Sequence, residues 1–213
     1  LSCTIADNIA ICADGYNDIY LACTYDNTAL ACIRKITRST GIISKIVGNG
    51  SYGNAGDGSA ATSASITQPG GICFDKANNL YLFDRQYLRV RKVDWLSGTI
   101  VAYAGNGTSG HANGPALTTA AFAQSWGHMR CDTNDNLYVC DDGNHIVRIV
   151  NQITGLVSTW AGIDATAGNT GDTGAATSAK LSSPSGIAFT KDGSTAYICD
   201  TGNNRIRTVN CQT

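Results

Sequence analysis

The sequence predicts an all-β protein, a β-propeller built from four copies of an antiparallel blade. Two observations predict it. A short apolar segment with a central tyrosine recurs at spacings of 61, 57 and 59 residues, and 24 glycines accompany a charged fraction of only 15%. A period this long, rich in β-branched residues and in Gly, Asn and Asp turns, is typical of one supersecondary unit copied along the chain. The four tyrosines are Tyr20, Tyr81, Tyr138 and Tyr197.

Each copy predicts four strands in a fixed order. An apolar strand and a polar turn precede the tyrosine strand, which together predict a hairpin. The third strand carries an arginine between apolar residues, at Arg34, Arg91, Arg148 and Arg207. A Ser/Thr-Gly turn then introduces the fourth strand, at residues 42–47, 99–104 and 156–161. Four antiparallel strands form one propeller blade.

Linkers of about 20 residues, dominated by Gly, Ala, Ser, Thr and Asn, separate each fourth strand from the next copy. Pro69 and Pro184 end two of these linkers and fix the entry to the following strand. Because the repeat covers nearly the whole chain, we predict a single propeller over residues 1–213. Its repeat units lie at about 9–48, 70–105, 127–162 and 186–211.

The last copy lacks a fourth strand in the sequence. Residues 1–5 resemble that strand type and could complete the last blade, in which case Cys3 and Cys211 could form a disulfide. Alternatively, Ile5 aligns with the linker residues Ile66 and Leu181. The three residues after Ile5 reach roughly 10 Å, whereas crossing a blade takes about 14 Å. Either alternative predicts an incompletely paired edge, which is a template for a strand from another molecule.

Three motifs carry a family resemblance. They are Gly-Ile-x-Phe-Asp, Leu-Tyr-Leu-x-Asp and Asn-Arg-Ile-Arg, the last at residues 204–207, and together they resemble the long-linker form of the NHL repeat. The resemblance implies a propeller whose relatives serve as binding platforms for proteins, glycans or RNA, as lyases or as hydrolase-like enzymes. The first copy departs most, with four extra residues between Tyr20 and Lys35.

Charge and hydropathy argue against two classes of partner. The formal net charge is -1, which gives no long-range field for gathering nucleic acid or an anionic membrane surface. No apolar run approaches the roughly 20 residues of a membrane span. We therefore expect neither nucleic acid nor a membrane-spanning segment.

Nine cysteines without zinc-ligand spacing indicate disulfides and an oxidising compartment. Cys23 and Cys32 flank the extra loop of the first copy and are the best single pair, while Cys131 and Cys140 lie on adjacent predicted strands. With an odd number of cysteines, at least one remains as a buried thiol or bonds to another molecule. Two glycosylation sequons, at Asn49 and Asn106, occupy the same place in successive copies. Together these features predict a secreted glycoprotein.

No residue set predicts catalysis. The three histidines, His111, His128 and His145, fall at three different blade positions, and no serine lies in a Gly-x-Ser-x-Gly elbow. The acids that end predicted strands are expected to cap turns and to pair with Arg91, Arg148 or Arg207. These acids are Asp75, Asp84, Asp132, Asp141, Asp142 and Asp200. Asp57 and Asp172 could bind calcium, but the alternating acids of a known calcium loop are missing, so we predict no cofactor.

These observations favour a secreted, non-enzymatic structural protein that assembles with copies of itself, for example into an extracellular filament or matrix. One alternative is a propeller that binds glycans or proteins, for which Trp126 is the candidate stacking residue. A metal-dependent lyase or hydrolase-like enzyme is the least favoured alternative.

Overall fold

The computed structural model describes residues 8–24 and 31–212, which form antiparallel sheets joined by turns and four short 3-10 helices. The chain divides into two compact units, Leu1–Tyr103 and Ala104–Thr213. Each unit contains two of the predicted repeats. The prediction of a propeller made of four blades is confirmed, and so is the missing outer strand of the last blade within the described residues.

The first unit contains two four-stranded sheets with their strands in chain order. The first blade comprises β1 (Asn8–Ala13), β2 (Ile19–Cys23), β3 (Cys32–Ile36) and β4 (Ile43–Val47). A linker with a 3-10 helix at Ala61–Ser63 leads to the second blade, which comprises β5 (Pro69–Phe74), β6 (Leu80–Asp84), β7 (Arg89–Val93) and β8 (Ile100–Ala104).

The second unit begins with the short linker strand β9 (Gly114–Pro115), which pairs with the outer edge of the third blade. That blade comprises β10 (Met129–Cys131), β11 (Leu137–Asp141), β12 (Ile146–Val150) and β13 (Leu156–Ala161). The fourth blade has three described strands, β14 (Pro184–Phe189), β15 (Thr195–Asp200) and β16 (Arg205–Asn210). The other 3-10 helices are Asp142–Asn144, Ala176–Ser178 and Thr201–Asn203.

The recurring tyrosine closes the first hairpin of each of the first three blades. Its hydroxyl donates to an aspartate six residues earlier: Tyr20 to Asp14 at 2.9 Å, Tyr81 to Asp75 at 3.1 Å and Tyr138 to Asp132 at 3.2 Å. Each carboxylate also accepts a backbone N–H from the turn between the strands. The tyrosine therefore recurs because its hydroxyl donates a hydrogen bond to the carboxylate that caps the turn.

The recurring arginine fixes the long linkers to the blades. In blades two to four its guanidinium donates to two linker carbonyls each time; Arg148, for example, donates to the carbonyls of Ala121 and Ala112 at 2.9 Å each. The corresponding donors are Arg91 and Arg207. An aspartate that ends the second strand accepts a linker N–H as well, as Asp141 does from Ala123 at 3.0 Å. These linkers are held by buried charged groups rather than by packing alone.

Strand alternation gives every blade two apolar faces. We call the face that packs on the preceding blade the leading face; in the fourth blade it carries Ile187 and Ile198. We call the face that packs on the following blade the trailing face; in the third blade it carries Tyr138 and Val147. In the second unit, the trailing face of the third blade packs on the leading face of the fourth. In the first unit, the trailing face of the first blade packs in the same way on the leading face of the second. One type of contact between faces therefore builds both units.

Candidate interaction surface

The outer edge of the fourth blade lacks the partner that the third blade has. β12 pairs with β11 on one side and with β13 on the other, whereas β16 pairs only with β15 among the described strands. An unpaired strand edge presents backbone N–H and C=O groups that can accept another strand.

The linker before the fourth blade forms the other wall of an open slot. In the third blade, the linker lies against the fourth strand, with Pro115 opposite Leu156 and the Ala116 N–H donating to the Gly155 carbonyl at 3.0 Å. In the second blade, the Ile100 N–H likewise donates to the linker carbonyl of Ser59 at 3.0 Å. In the fourth blade, the slot between residues 171–176 and β16 corresponds to the place that these fourth strands occupy.

A large cleft marks this slot. Its volume is about 1380 Å³, and its walls include the linker from Gly171 to Ala176 and the strand from Arg205 to Asn210. The comparable cleft between the first and second blades measures about 450 Å³, and there Trp95 and Gly98 from the turn before the fourth strand contribute to the wall. The slot is therefore wide where a strand is missing.

The trailing face of the fourth blade is uncovered. Ile206 is 60% exposed and Tyr197 is 43% exposed. Their equivalents in the third blade, Val147 and Tyr138, are buried. Since the residue types are alike, the difference is that no leading face packs here among the described residues.

The leading face of the first blade is uncovered only in part, since Leu21, Cys23 and Cys32 on this face are buried. Ile11 is 68% exposed and Ile19 is 39% exposed, although their equivalents in the third blade, Met129 and Leu137, are buried. The two exposed patches are thus the two halves of the contact that joins successive blades. The alternation of side chains along each predicted strand could have identified these residues, but the sequence analysis did not assign them to a face.

The predicted glycosylation sites share one local structure. Asn49 is exposed and Asn106 is half-buried, and their side-chain amides donate to the linker carbonyls of Ser63 and Thr119 at 3.0 and 3.2 Å. Their side-chain oxygens accept backbone N–H groups from Ser51 and Thr108. A turn therefore gives these asparagines a structural role of their own, and glycosylation stays a prediction.

The structure is compatible with one predicted cysteine pair and argues against another. Cys23 and Cys32 lie directly opposite each other on β2 and β3, and both are buried. Cys131, in contrast, lies opposite Leu137, three residues from Cys140 along β11. That separation is about 10 Å, beyond the reach of a disulfide, so the register argues against pairing Cys131 with Cys140.

The third predicted pair has one member outside the described residues. Cys3 lies there, and the exposed Cys211 directly follows β16. Their disulfide stays a prediction.

The histidines have separate surroundings. His145 Nδ1 accepts the Ser183 N–H at 3.1 Å, and His111 Nδ1 lies 3.6 Å from Asp164. Burial lowers the pKa of His128, although the charge of Asp142 opposes this effect. Among the described residues, no group of three or more His, Cys or acidic side chains is arranged to hold a metal ion.

The two candidate calcium ligands are engaged by arginines. Asp57 accepts from Arg91 at 2.8 Å, and Asp172 accepts from Arg207. Asp141 also pairs with Arg148, at 3.7 Å, and burial raises its pKa to about 6. The expectation that strand-ending acids pair with these arginines is met at Asp141 and Asp200, whereas the linker acids use their carboxylates to fix the linkers.

No helix in the described part of the chain is long and apolar enough to span a membrane.

Antiparallel four-stranded blades with a repeated face-to-face contact define a β-propeller. The repeats within these blades resemble NHL repeats in sequence, and the fold is that of a β-propeller. No model of a protein family matches it.

Two curated proteins are similar in sequence. Protein SUPPRESSOR OF QUENCHING 1, chloroplastic, of Arabidopsis thaliana is 30% identical over 173 residues, covering 79% of this chain and 16% of that protein. NHL repeat-containing protein 2 of Homo sapiens is 27% identical over 96 residues, covering 45% of this chain and 13% of that protein. The chain thus spans less than a fifth of each of these relatives.

Solved structures share the fold at low identity. A protein of unknown function from Bacteroides thetaiotaomicron has a TM-score of 0.74 at 19% identity, over 95% of this chain and 47% of its own. An auxiliary nutrient binding protein from the same organism has a TM-score of 0.62 at 20% identity, over 94% and 58%. Virginiamycin B lyase from Staphylococcus aureus has a TM-score of 0.54 at 15% identity, over 100% and 58%.

Proposed function

We propose that this protein is a secreted, non-enzymatic structural propeller that assembles head to tail with copies of itself. One observation carries the proposal: the first and last blades expose opposite halves of the apolar contact that packs successive blades inside the chain. Exposed apolar residues grouped on one face are a typical feature of protein interaction sites.

A second copy supplies the matching surface. The trailing face of a fourth blade, with Tyr197 and Ile206, has the residue types that pack on a leading face within each unit. The leading face of a first blade, with Ile11 and Ile19, provides such a partner. Because the two surfaces differ, the contact is heterologous, and it repeats from copy to copy unless a ring closes.

The slot beside β16 adds backbone pairing to this contact. The edge of β16 that is unpaired among the described strands can accept an extended segment of the neighbouring copy. Strand addition at such an edge gives affinity through main-chain hydrogen bonds and specificity through alternate side chains. The net charge of -1 sets up little repulsion between copies.

Secretion is the second part of the proposal. Nine cysteines and two sequons support it. Expression through a eukaryotic secretory pathway, followed by peptide mass spectrometry, tests it: glycan at Asn49 and Asn106 is expected. Complete absence of glycan at both sites would remove this part and leave the assembly untouched.

A complementation experiment tests head-to-tail assembly. Ile206→Asp places a charge on the trailing face only, and Ile11→Asp places one on the leading face only. Each variant alone is expected to remain monomeric in light scattering, because an unpaired charge is costly to bury. An equal mixture is expected to form a one-to-one dimer, because one intact face of each type remains.

Ile153→Asp is the matched control, since Ile153 is an exposed isoleucine on a turn of the third blade. It should assemble like the unsubstituted chain. Self-assembly of either single variant, or a mixture that stays monomeric at all concentrations, would contradict the proposal.

A second candidate function rests on the cleft between the first and second blades. Tyr20, Phe74 and Trp95 line it together with Lys35, whose ammonium lies 5.2 Å from the Trp95 ring centroid and pairs with Asp18 at 2.6 Å. Aromatic side chains beside an ion pair suit a small polar ligand such as a sugar. Binding on a glycan array that is lost in Trp95→Ala would support this function, and the same array tests the sugar-stacking role predicted for Trp126.

A further inference from the structure

The end of the hairpin between β2 and β3 differs chemically from the same place in the other blades. The last residue of the second strand is an aspartate in blades two to four, at Asp84, Asp141 and Asp200. In the first blade this residue is Cys23, and the residue opposite it is Cys32. In the first blade, a pair of opposed cysteines therefore stands where an aspartate ends the second strand in the other blades.

The aspartates hold short loops. Four residues separate the second and third strands in blades two to four, and in the last two blades an asparagine of that loop donates to the aspartate: Asn144 to Asp141 at 2.9 Å and Asn203 to Asp200 at 2.8 Å. In the first blade eight residues, from Thr24 to Ala31, separate the strands. A longer loop with no aspartate at its base needs another means of closure.

We propose that Cys23 and Cys32 form a disulfide that closes this loop. Directly opposed residues of antiparallel strands have Cα atoms about 4.5 or 5.5 Å apart. Both values lie within the range of natural disulfides, about 4.4–6.8 Å. Opposed residues also project to the same face of a sheet, so the two sulfur atoms need little movement to meet.

The surroundings of Cys32 favour its thiolate. A hydrogen bond from the Cys23 thiol, assisted by the charges of Arg34 and Lys45, lowers the pKa of Cys32 to about 6 against the opposing effect of burial. The thiolate is the nucleophile in disulfide exchange. The hydrogen bond between the two thiols places their sulfur atoms next to each other, which supports the pairing.

Exchange with oxidised glutathione completes the reaction. The thiolate of one of the two cysteines attacks one glutathione sulfur, which breaks the glutathione disulfide, forms a mixed disulfide and releases one glutathione thiolate. The other cysteine then loses its proton and attacks the protein sulfur of the mixed disulfide, which forms the protein disulfide and releases the second thiolate. Two electrons pass from the protein to glutathione, and the released thiolates take up protons according to pH.

Peptide mapping of the folded protein tests the pairing. After incubation with oxidised glutathione and alkylation of remaining thiols, cleavage before aspartate yields residues 18–25 and 26–56, each with one cysteine. We expect these peptides to be joined, with a mass two hydrogens below their sum. Recovery of both peptides alkylated, or linked to other cysteines, would overturn the proposal.

Cys140→Ser is the control for the mapping, because burial raises the pKa of Cys140 and its loss should leave the Cys23–Cys32 link unchanged.

Discussion

The third and fourth blades are built from the same parts, yet they differ in what covers them. Both have a linker held by a buried arginine, a tyrosine strand and an arginine strand. The trailing face of the third blade is buried against its neighbour, whereas that of the fourth exposes Tyr197 and Ile206. The comparison teaches that the apolar face of a blade is buried only where a neighbouring blade packs on it. No such neighbour packs on the trailing face of the fourth blade among the described residues.

The arginines should show the largest difference in stability. Arg148 and Arg207 each pair with a buried strand-ending carboxylate, Asp141 and Asp200, but Arg148 is fully buried, whereas Arg207 also pairs with the exposed linker residue Asp172. Arg148→Met leaves a buried carboxylate and two linker carbonyls unpaired, which costs about 3–5 kcal/mol. Arg207→Met leaves Asp200 and two linker carbonyls unpaired in the same way, but it should cost less because Arg207 and Asp172 are partly open to water. Urea unfolding measures both, and equal losses would erase the distinction between the blades.

The apolar residues of the trailing faces should respond in opposite ways. Val147→Ala removes two buried carbons and should lower the free energy of unfolding by about 2 kcal/mol. Ile206→Ala should leave monomer stability within about 0.5 kcal/mol. It should nevertheless weaken self-association in sedimentation velocity. Loss of monomer stability without loss of association would place Ile206 in an internal core.

The tyrosines should give the smallest difference. Tyr138→Phe removes the hydroxyl that donates to Asp132 and should cost about 1 kcal/mol. In the fourth blade Thr190 takes the place of the aspartate and Tyr197 is exposed, so Tyr197→Phe should be nearly neutral. Thermal unfolding compares the pair, and a larger effect at Tyr197 would refute the assigned equivalence.

The architecture was predictable because tyrosine, arginine and glycine recur with one period, and each has a local reason to recur. The open edge at β16 followed from counting strands. The register of Cys131 was missed because the prediction did not use the recurring six-residue spacing from Asp132 to Tyr138, which places Cys131 opposite Leu137. Nor could the sequence alone show that Asp57 and Asp172 serve arginines, because those contacts join residues 34 and 35 positions apart.

Photo-crosslinking between isotopically distinct chains tests head-to-tail assembly most directly. Unlabelled chains with a benzophenone side chain at position 206 are mixed with 15N-labelled chains and irradiated at a concentration that supports assembly. We predict crosslinks from position 206 to labelled peptides that contain Ile11 or Ile19. Crosslinks confined to the unlabelled chain, or directed to other parts of the labelled one, would contradict the account.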